Sequence, residues 1–201
     1  MSEYPDTQVA GLVLAAGEGR RFGGPKALAR LGGVPLVDRA VATLRDGGCE
    51  PVYVVLGARA AEVRATARLA GARVVTNPDW HTGMGSSLRH GLAALPPEAG
   101  AAVVLLVDQP GIGAEAVRRV IAAYRSGARV AIGTYAGQPR HPVLLARAVW
   151  SEVAELATGD QGARPFLRAH PELVTKVPCD GTGDPADVDT PEDLARLGDG
   201  P

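Results

Sequence analysis

The sequence has few of the features that mark secreted, membrane-bound or metal-sulfur proteins. It holds only two cysteines, Cys49 and Cys179, which lie far apart and lack CxxC spacing. We therefore expect two separate thiols rather than a disulfide or a metal pair. The longest strongly apolar run, residues 101–107, is far too short to span a bilayer, and the first residues carry neither a basic region nor an apolar signal core. These absences predict a cytoplasmic protein that is not bound to a membrane.

An excess of one charge is also lacking. The chain has 21 Lys and Arg against 22 Asp and Glu, for a net charge of -1. Without a positive excess, nucleic acid is not an expected partner, and any bound nucleotide is expected to be a small ligand. The histidines show no metal-binding spacing; they are His81, His90, His141 and His170.

Short apolar runs alternate with amphipathic stretches along most of the chain. Hydrophobic residues make up 46% of the 201 residues, which is ample for one core. The pattern predicts strands over residues 9–15, 52–56, 73–76 and 101–107, and helices over residues 36–44, 60–70, 87–95 and 114–126. Continuous rather than alternating hydrophobicity predicts strands buried on both faces, as in a parallel sheet flanked by helices.

The pattern changes after Gly127. Runs at residues 130–135 and 142–145 predict a hairpin or a wide antiparallel pair, followed by a strand over 173–177 and a helix over 191–197. No repeat or long linker divides the chain. We predict one α/β domain over residues 1–201, with its core at about 9–197. Its fold class is a three-layer α/β/α sandwich with a mostly parallel sheet and a smaller antiparallel part.

The first predicted strand runs into a glycine-rich turn, LAAGEGRRFGGPK, at residues 14–26. Glycines and small residues let backbone N–H groups approach a phosphate, and Arg20, Arg21 and Lys26 add three cations that suit a triphosphate. A P-loop would need Ser or Thr after the lysine, and a dinucleotide fingerprint would need glycine in place of Phe22. A plain surface turn is the alternative.

The run LAAGxGxRFGGPK resembles the signature loop of molybdenum cofactor cytidylyltransferases and other MobA-like NTP transferases, which have a GT-A-like fold. In that family the loop wraps the base and phosphates, and Arg21 and Lys26 match residues that contact the triphosphate. Arg20 falls on a variable position and receives no role. The resemblance thus implies nucleotide contacts from Leu14, Ala15, Ala16, Gly17, Gly19, Arg21 and Lys26.

A second segment, residues 77–92, is similar to the part of the family that leads to a helix beside the nucleotide. We expect Ser86 or Ser87 to cap this helix, so that its free N–H groups favour an anion or a base oxygen. A serine at a helix start also needs no ligand, and that alternative stays open.

Two acidic segments complete the resemblance. Asp108 follows the most apolar strand, at the edge where open α/β sheets bind ligands, although it could instead cap a turn. The segment DVDTPEDL holds Asp187 and Asp189 ahead of a helix start at Thr190. The resemblance implies that Asp108 ligates Mg²⁺. Asp189, with Asp187 as the alternate, would complete the one or two carboxylates that Mg²⁺ takes.

Residues 137–144 and 159–164 resemble the family's GHPV and GDxGAR segments on the acceptor side. Arg140 stands where the family pattern has glycine, so the acceptor contacts there are in doubt. Arg164 either grips an acceptor phosphate or is an exposed arginine at a helix start.

The resemblance implies a magnesium-dependent nucleotidyltransferase whose catalytic residues are Lys26, Arg21 and Asp108. The Ala-Ala-Gly sequence at residues 15–17 is similar to cytidylyltransferases, so CTP is favoured, with molybdopterin as acceptor and a molybdenum hydroxylase or its accessory protein as partner. The alternatives are guanylyl transfer, a sugar or polyol phosphate acceptor, non-catalytic cofactor delivery and a nicotinamide-dependent dehydrogenase.

Overall fold

A computed structural model describes residues 7–198, which fold around one central sheet. The strands are β1 (Gln8–Ala15), β2 (Arg30–Leu31), β3 (Val34–Pro35), β4 (Val52–Leu56), β5 (Arg73–Thr76), β6 (Ala99–Leu106), β7 (Val130–Tyr135), β8 (Gln138–Ala146) and β9 (Val174–Pro178). Seven of them form the sheet in the order β5-β4-β1-β6-β8-β7-β9, while β2 and β3 make a small separate hairpin. Only β8 runs against its neighbours, so the sheet is mostly parallel.

Helices cover both faces of the sheet. They are α1 (Leu36–Asp46), α2 (Ala60–Thr66), α3 (Met84–Ala94), α4 (Ala114–Arg125), α5 (Trp150–Leu156), α6 (Arg164–Ala169) and α7 (Pro191–Gly198). Successive residues of β1 point to opposite faces of the sheet. Val13 packs into the core that α1 and α4 share, whereas Leu12 packs into the core under α3 and α5. The predicted three-layer α/β/α sandwich is confirmed.

Several predicted bounds were wrong at helix ends. The helix predicted over residues 60–70 stops at Thr66, because Ala67 is extended with ψ at 147°. The helix predicted to start at residue 87 already starts at Met84. The short helix α5 was not predicted, and α6 was anticipated only in the alternative that places Arg164 at a helix start. No helix within residues 7–198 is both long and apolar enough to cross a bilayer.

The hairpin between β7 and β8 is tighter than the sequence suggested. Its turn consists of Ala136 and Gly137, both with positive φ (48° and 75°) as two-residue hairpin turns require. The polar residues at 138–140, predicted as the loop, instead begin β8, and they are exposed because this end extends beyond the buried part of the sheet. At the C-terminus, the Asp193 N–H donates to Thr190 Oγ1 while the Thr190 N–H donates to Asp193 Oδ2, so the predicted start of α7 is confirmed.

Candidate functional site

The loop after β1 is shaped by Gly19. This residue has a φ of 67°, and a Cβ on it would overlap the carbonyl oxygen of Gly24. Its own carbonyl accepts the N–H groups of Phe22 (2.9 Å) and Gly24 (3.3 Å). Glycine is therefore required for the loop to fold back on itself and present Lys26 to the carboxyl edge of the sheet.

Charged side chains from three distant segments meet at this edge. Lys26 Nζ lies 3.1 Å from Asp108 Oδ2 and 2.8 Å from Asp189 Oδ1. Arg21 Nη2 lies 3.1 Å from Asp189 Oδ2. Asp108 comes just after β6, and Asp189 just before α7. The fold thus joins the loop cations to one carboxylate from each acidic segment.

The electrostatics of the cluster follow from its partial burial. Burial raises the pKa of Asp108, Lys26 opposes that change, and the nearby charge of Asp187 adds to it. The hydrogen bond from Lys26 lowers the pKa of Asp189. Burial disfavours the Lys26 ammonium, but the two carboxylates outweigh it and raise the pKa of Lys26. Lys26 is therefore a fixed cation between two acids at neutral pH.

Asp187, two residues before Asp189, has a different partner. It accepts a hydrogen bond of 2.8 Å from Gln109 Nε2, and the buried Val188 between the two aspartates donates its N–H to the Asp108 carbonyl at 2.7 Å. Of the two C-terminal aspartates, Asp189 contacts Lys26 and Asp187 does not. Gln109 was not singled out from the sequence, although it directly follows Asp108.

A cavity of about 410 Å³ opens above the glycine-rich loop. Most residues expected at the nucleotide line it, namely Leu14, Ala16, Gly17, Gly19, Arg21, Lys26 and Ser87. Ala15 packs into the core on the opposite face of β1, and Ser86 is buried below the cavity wall. Trp80, Met84 and Asp160 also line this cavity, and no sequence signal had assigned them to it.

The start of α3 differs from the expectation that Ser86 or Ser87 caps it. Gly83 holds the cap position, and Ser86 lies inside the first turn, where its hydroxyl donates to the Gly83 carbonyl at 2.8 Å. The side chain of Asn77 donates to both serine hydroxyls, at 2.8 and 3.0 Å. The Met84 N–H donates to Asp160 Oδ1 at 3.3 Å. The capping prediction was wrong because the helix begins about one turn earlier, and its first N–H donates to the Asp160 carboxylate from another segment.

A second cavity of about 450 Å³ adjoins the first. The two share five lining residues, Leu14, Met84, Leu106, Asp108 and Asp189, so the carboxylates lie in the wall between them. Its floor is largely apolar, and Gln109, Arg140, His141 and Arg164 add polar groups. Burial, aided by the charge of Arg164, lowers the pKa of His141 to about 4, so its imidazole is neutral at pH 7.

Comparison with known proteins identifies the family of the chain. A family model described as the MobA-like NTP transferase domain matches residues 11–174. The chain belongs to this family. The molybdenum cofactor guanylyltransferase of Rhodobacter capsulatus is 32% identical over 96% of both chains, and the nicotine blue oxidoreductase of Paenarthrobacter nicotinovorans is 42% identical over 94% of this chain and 96% of its own length.

Two solved structures superpose on nearly the whole chain. Rv0371c from Mycobacterium tuberculosis H37Rv has a TM-score of 0.84 at 32% identity, covering 96% of this chain and 99% of its own. Its complex with manganese has a TM-score of 0.81 at 33% identity, covering 95% and 98%. The fold is therefore the GT-A-like α/β fold that the sequence predicted.

Proposed function

We propose that this chain transfers a nucleoside monophosphate from a nucleoside triphosphate to a phosphorylated acceptor, with Mg²⁺ as cofactor. One observation carries the proposal. The cavity over the glycine-rich loop and the cavity over the apolar floor meet at a wall formed by Asp108 and Asp189, with Lys26 between the two carboxylates. Two substrates bound on either side of that wall would have their reacting phosphates side by side.

The reaction needs positioning and charge stabilisation more than a base. An acceptor phosphate oxygen bonds to the α-phosphorus, the α–β bridging bond breaks, and its electron pair leaves with pyrophosphate. Because that oxygen is already anionic, no proton must be removed. Lys26 and Arg21 oppose the negative charge of the phosphates and of the leaving group. The neutral His141 can offer an N–H to the acceptor without adding charge.

The donor set fits a hard divalent cation. Asp108 and Asp189 converge on a single point, which the Lys26 ammonium now holds at 3.1 and 2.8 Å. Within residues 7–198 no third carboxylate, His or Cys joins them as a ligand group. Two carboxylates are enough for Mg²⁺, whose other ligands are usually water and phosphate. When bound, the ion supplies charge stabilisation at the α-phosphate.

We propose CTP as the nucleotide and molybdopterin as the acceptor. The methyl group of Ala16 lines the nucleotide cavity and narrows the space beside the base, which favours a pyrimidine. The name of the Rhodobacter relative supports a molybdenum cofactor acceptor, although that relative is a guanylyltransferase. Ala16→Gly should therefore raise the relative turnover of GTP over CTP. If GTP is already the better substrate of the unaltered protein, the steric argument fails.

The decisive experiment measures pyrophosphate release with each NTP, Mg²⁺ and molybdopterin. Asp108→Asn should lower the rate of pyrophosphate release at least about a hundredfold, because a preorganised charge at the transition state has an effect of that order. Asp46→Asn changes an exposed carboxylate at the far end of α1 and serves as the matched control. Near-normal release by the Asp108 variant, with a folded protein, would refute the metal role.

The identity to nicotine blue oxidoreductase supports a second candidate, an oxidoreductase activity. Incubating the protein with NADH or NADPH and a dye acceptor would test it directly. Oxidation of either nicotinamide by the folded protein, without pyrophosphate release from any NTP, would favour this candidate over nucleotidyl transfer.

A further inference from the structure

A third cavity of about 360 Å³ continues from the second, away from Asp108. The two share Ile132, Pro139, Arg164 and Leu167, so they form one groove. The far part is lined by Arg168, Pro171, Val174 and Lys176 in addition to the shared residues. A ligand in the second cavity could therefore extend into the third without leaving the protein surface.

The third cavity is positively charged. Arg164, Arg168 and Lys176 line it, and no carboxylate does. Glu172, which lies between Arg168 and Lys176 in the sequence, is bound to His170 at 3.3 Å, and Glu152 is bound to the same imidazole at 2.6 Å. Arg168 uses one N–H on the side-chain oxygen of Gln161, and its other donors remain for a ligand.

The backbone fixes where these cations lie. Lys176 is on β9, where it pairs in register with Ile132 of β7, and Arg164 and Arg168 lie one turn apart on α6. Residues four apart on a helix share a face. The cations therefore come from a strand and a helix on either side of an apolar channel, and together they form a basic end to the acceptor groove.

We propose that this basic end binds a second anionic group on the acceptor, distant from the phosphate that reacts. The inference rests on the proposed function, since it treats the second cavity as the acceptor site. It specifies the class of acceptor: an elongated molecule with an apolar or ring-like body and an anion, such as a phosphate, carboxylate or metal oxo group, at its far end. Apolar side chains between the two charged ends suit such a body.

The test uses binding, so it does not depend on turnover. Alkyl monophosphates and α,ω-alkanediol bisphosphates of matched chain lengths are titrated into the full chain by calorimetry. A hydrogen bond to a charged group contributes about 1.5 kcal/mol or more, so at least one bisphosphate should bind about tenfold more tightly than its monophosphate. The double variant Arg168→Ala/Lys176→Ala should lose this preference, while the double variant Arg68→Ala/Arg129→Ala, which removes two exposed cations elsewhere, should keep it.

Each result decides the proposal. No bisphosphate preference in the unaltered protein, or an equal preference in both double variants, would overturn it. If the double variant Arg168→Ala/Lys176→Ala does not fold, Lys176→Gln alone should reduce the bisphosphate preference several-fold. An unchanged preference in Lys176→Gln would also overturn the proposal. A bisphosphate preference without any pyrophosphate release would refute the nucleotidyl transfer and leave the groove as an anion site.

Discussion

Replacing Lys26 by methionine tests the centre of the site, because this ammonium holds two carboxylates together. The side chains of Lys26, Asp108 and Asp189 are 17%, 26% and 38% exposed. Removing one partner from a fully buried ion pair costs about 3–5 kcal/mol. Since solvent reaches this cluster, we expect Lys26→Met to lower the free energy of unfolding by about 2–3 kcal/mol. For a domain of this size that corresponds to a fall in Tm of about 5–10 °C.

Divalent cations should reverse this loss. With the ammonium gone, Mg²⁺ or Mn²⁺ can compensate the two carboxylates, and a ligand at a hundred times its Kd adds about 2.7 kcal/mol of stability. We therefore expect the metal-induced rise in Tm to be larger in Lys26→Met than in the unaltered protein and to be absent in Asp108→Asn. Lys176→Met is the matched control, because Lys26 and Lys176 are the two lysines of the sequence. A Lys26 variant with unchanged Tm, or a full metal response in Asp108→Asn, would refute the reasoning.

Three further outcomes are expected. Trp80 lines the first cavity, where we propose that the nucleotide binds, while Trp150 is buried and donates to a backbone carbonyl, so NTP binding should change tryptophan fluorescence in Trp150→Phe but not in Trp80→Phe. The pKa of His141 falls from 6.5 to about 4 on folding, through burial and the charge of Arg164. The unfolded chain thus binds a proton that the folded chain does not. This contribution to stability is complete above about pH 6.5 and is lost as pH falls toward 4, and His141→Asn should flatten that part of a urea-unfolding pH profile. Arg140→Gly should raise the KM of the acceptor and leave the KM of the NTP unchanged, and an equal rise in both would contradict a separate acceptor cavity.

Strands β4 and β5, at one side of the sheet, could be predicted closely because their signals are local. Residues 52–56 form an apolar run and residues 73–76 a short segment around two valines, each with clear breaks on both sides, and the structure has the same bounds. The short helices α5 and α6 carry little periodicity in seven and six residues, and glycine and proline lie close to them. Their helical form depends on packing over the sheet, where Val153 and Phe166 are fully buried. Such tertiary stabilisation leaves little trace in a short sequence window.

The candidate site could also be predicted only in part: the sequence shows which types of residue form it, but not which residues contact each other. The sequence indicated which charged residues would meet, but it could not choose between Asp187 and Asp189, since residues i and i+2 of an extended segment lie on the same face. In the structure the two aspartates have different partners, since Lys26 binds Asp189 and Gln109 binds Asp187. Asp160 was also unpredictable as a partner of α3, because it lies 76 residues beyond Met84 and the contact is made only by the folded chain.

The reversed strand β8 explains why the two cavities differ in character. A parallel strand brings its last residues to the carboxyl edge of the sheet, as β6 does with Asp108, and the helix that follows must then start nearby. Because β8 runs the other way, its first residues reach that edge, and Val143 pairs with Val104 of β6. Arg140 and His141 therefore extend past the region paired with β6 and line the second cavity together with Asp108 and Asp189, on a strand rather than a loop. The first cavity, where we propose that the nucleotide binds, is accordingly built on the glycine-rich loop. The second cavity, the proposed acceptor site, is built partly on strand backbone, so we expect changes of side chain at its edge to alter the choice of acceptor without altering the binding of the nucleotide.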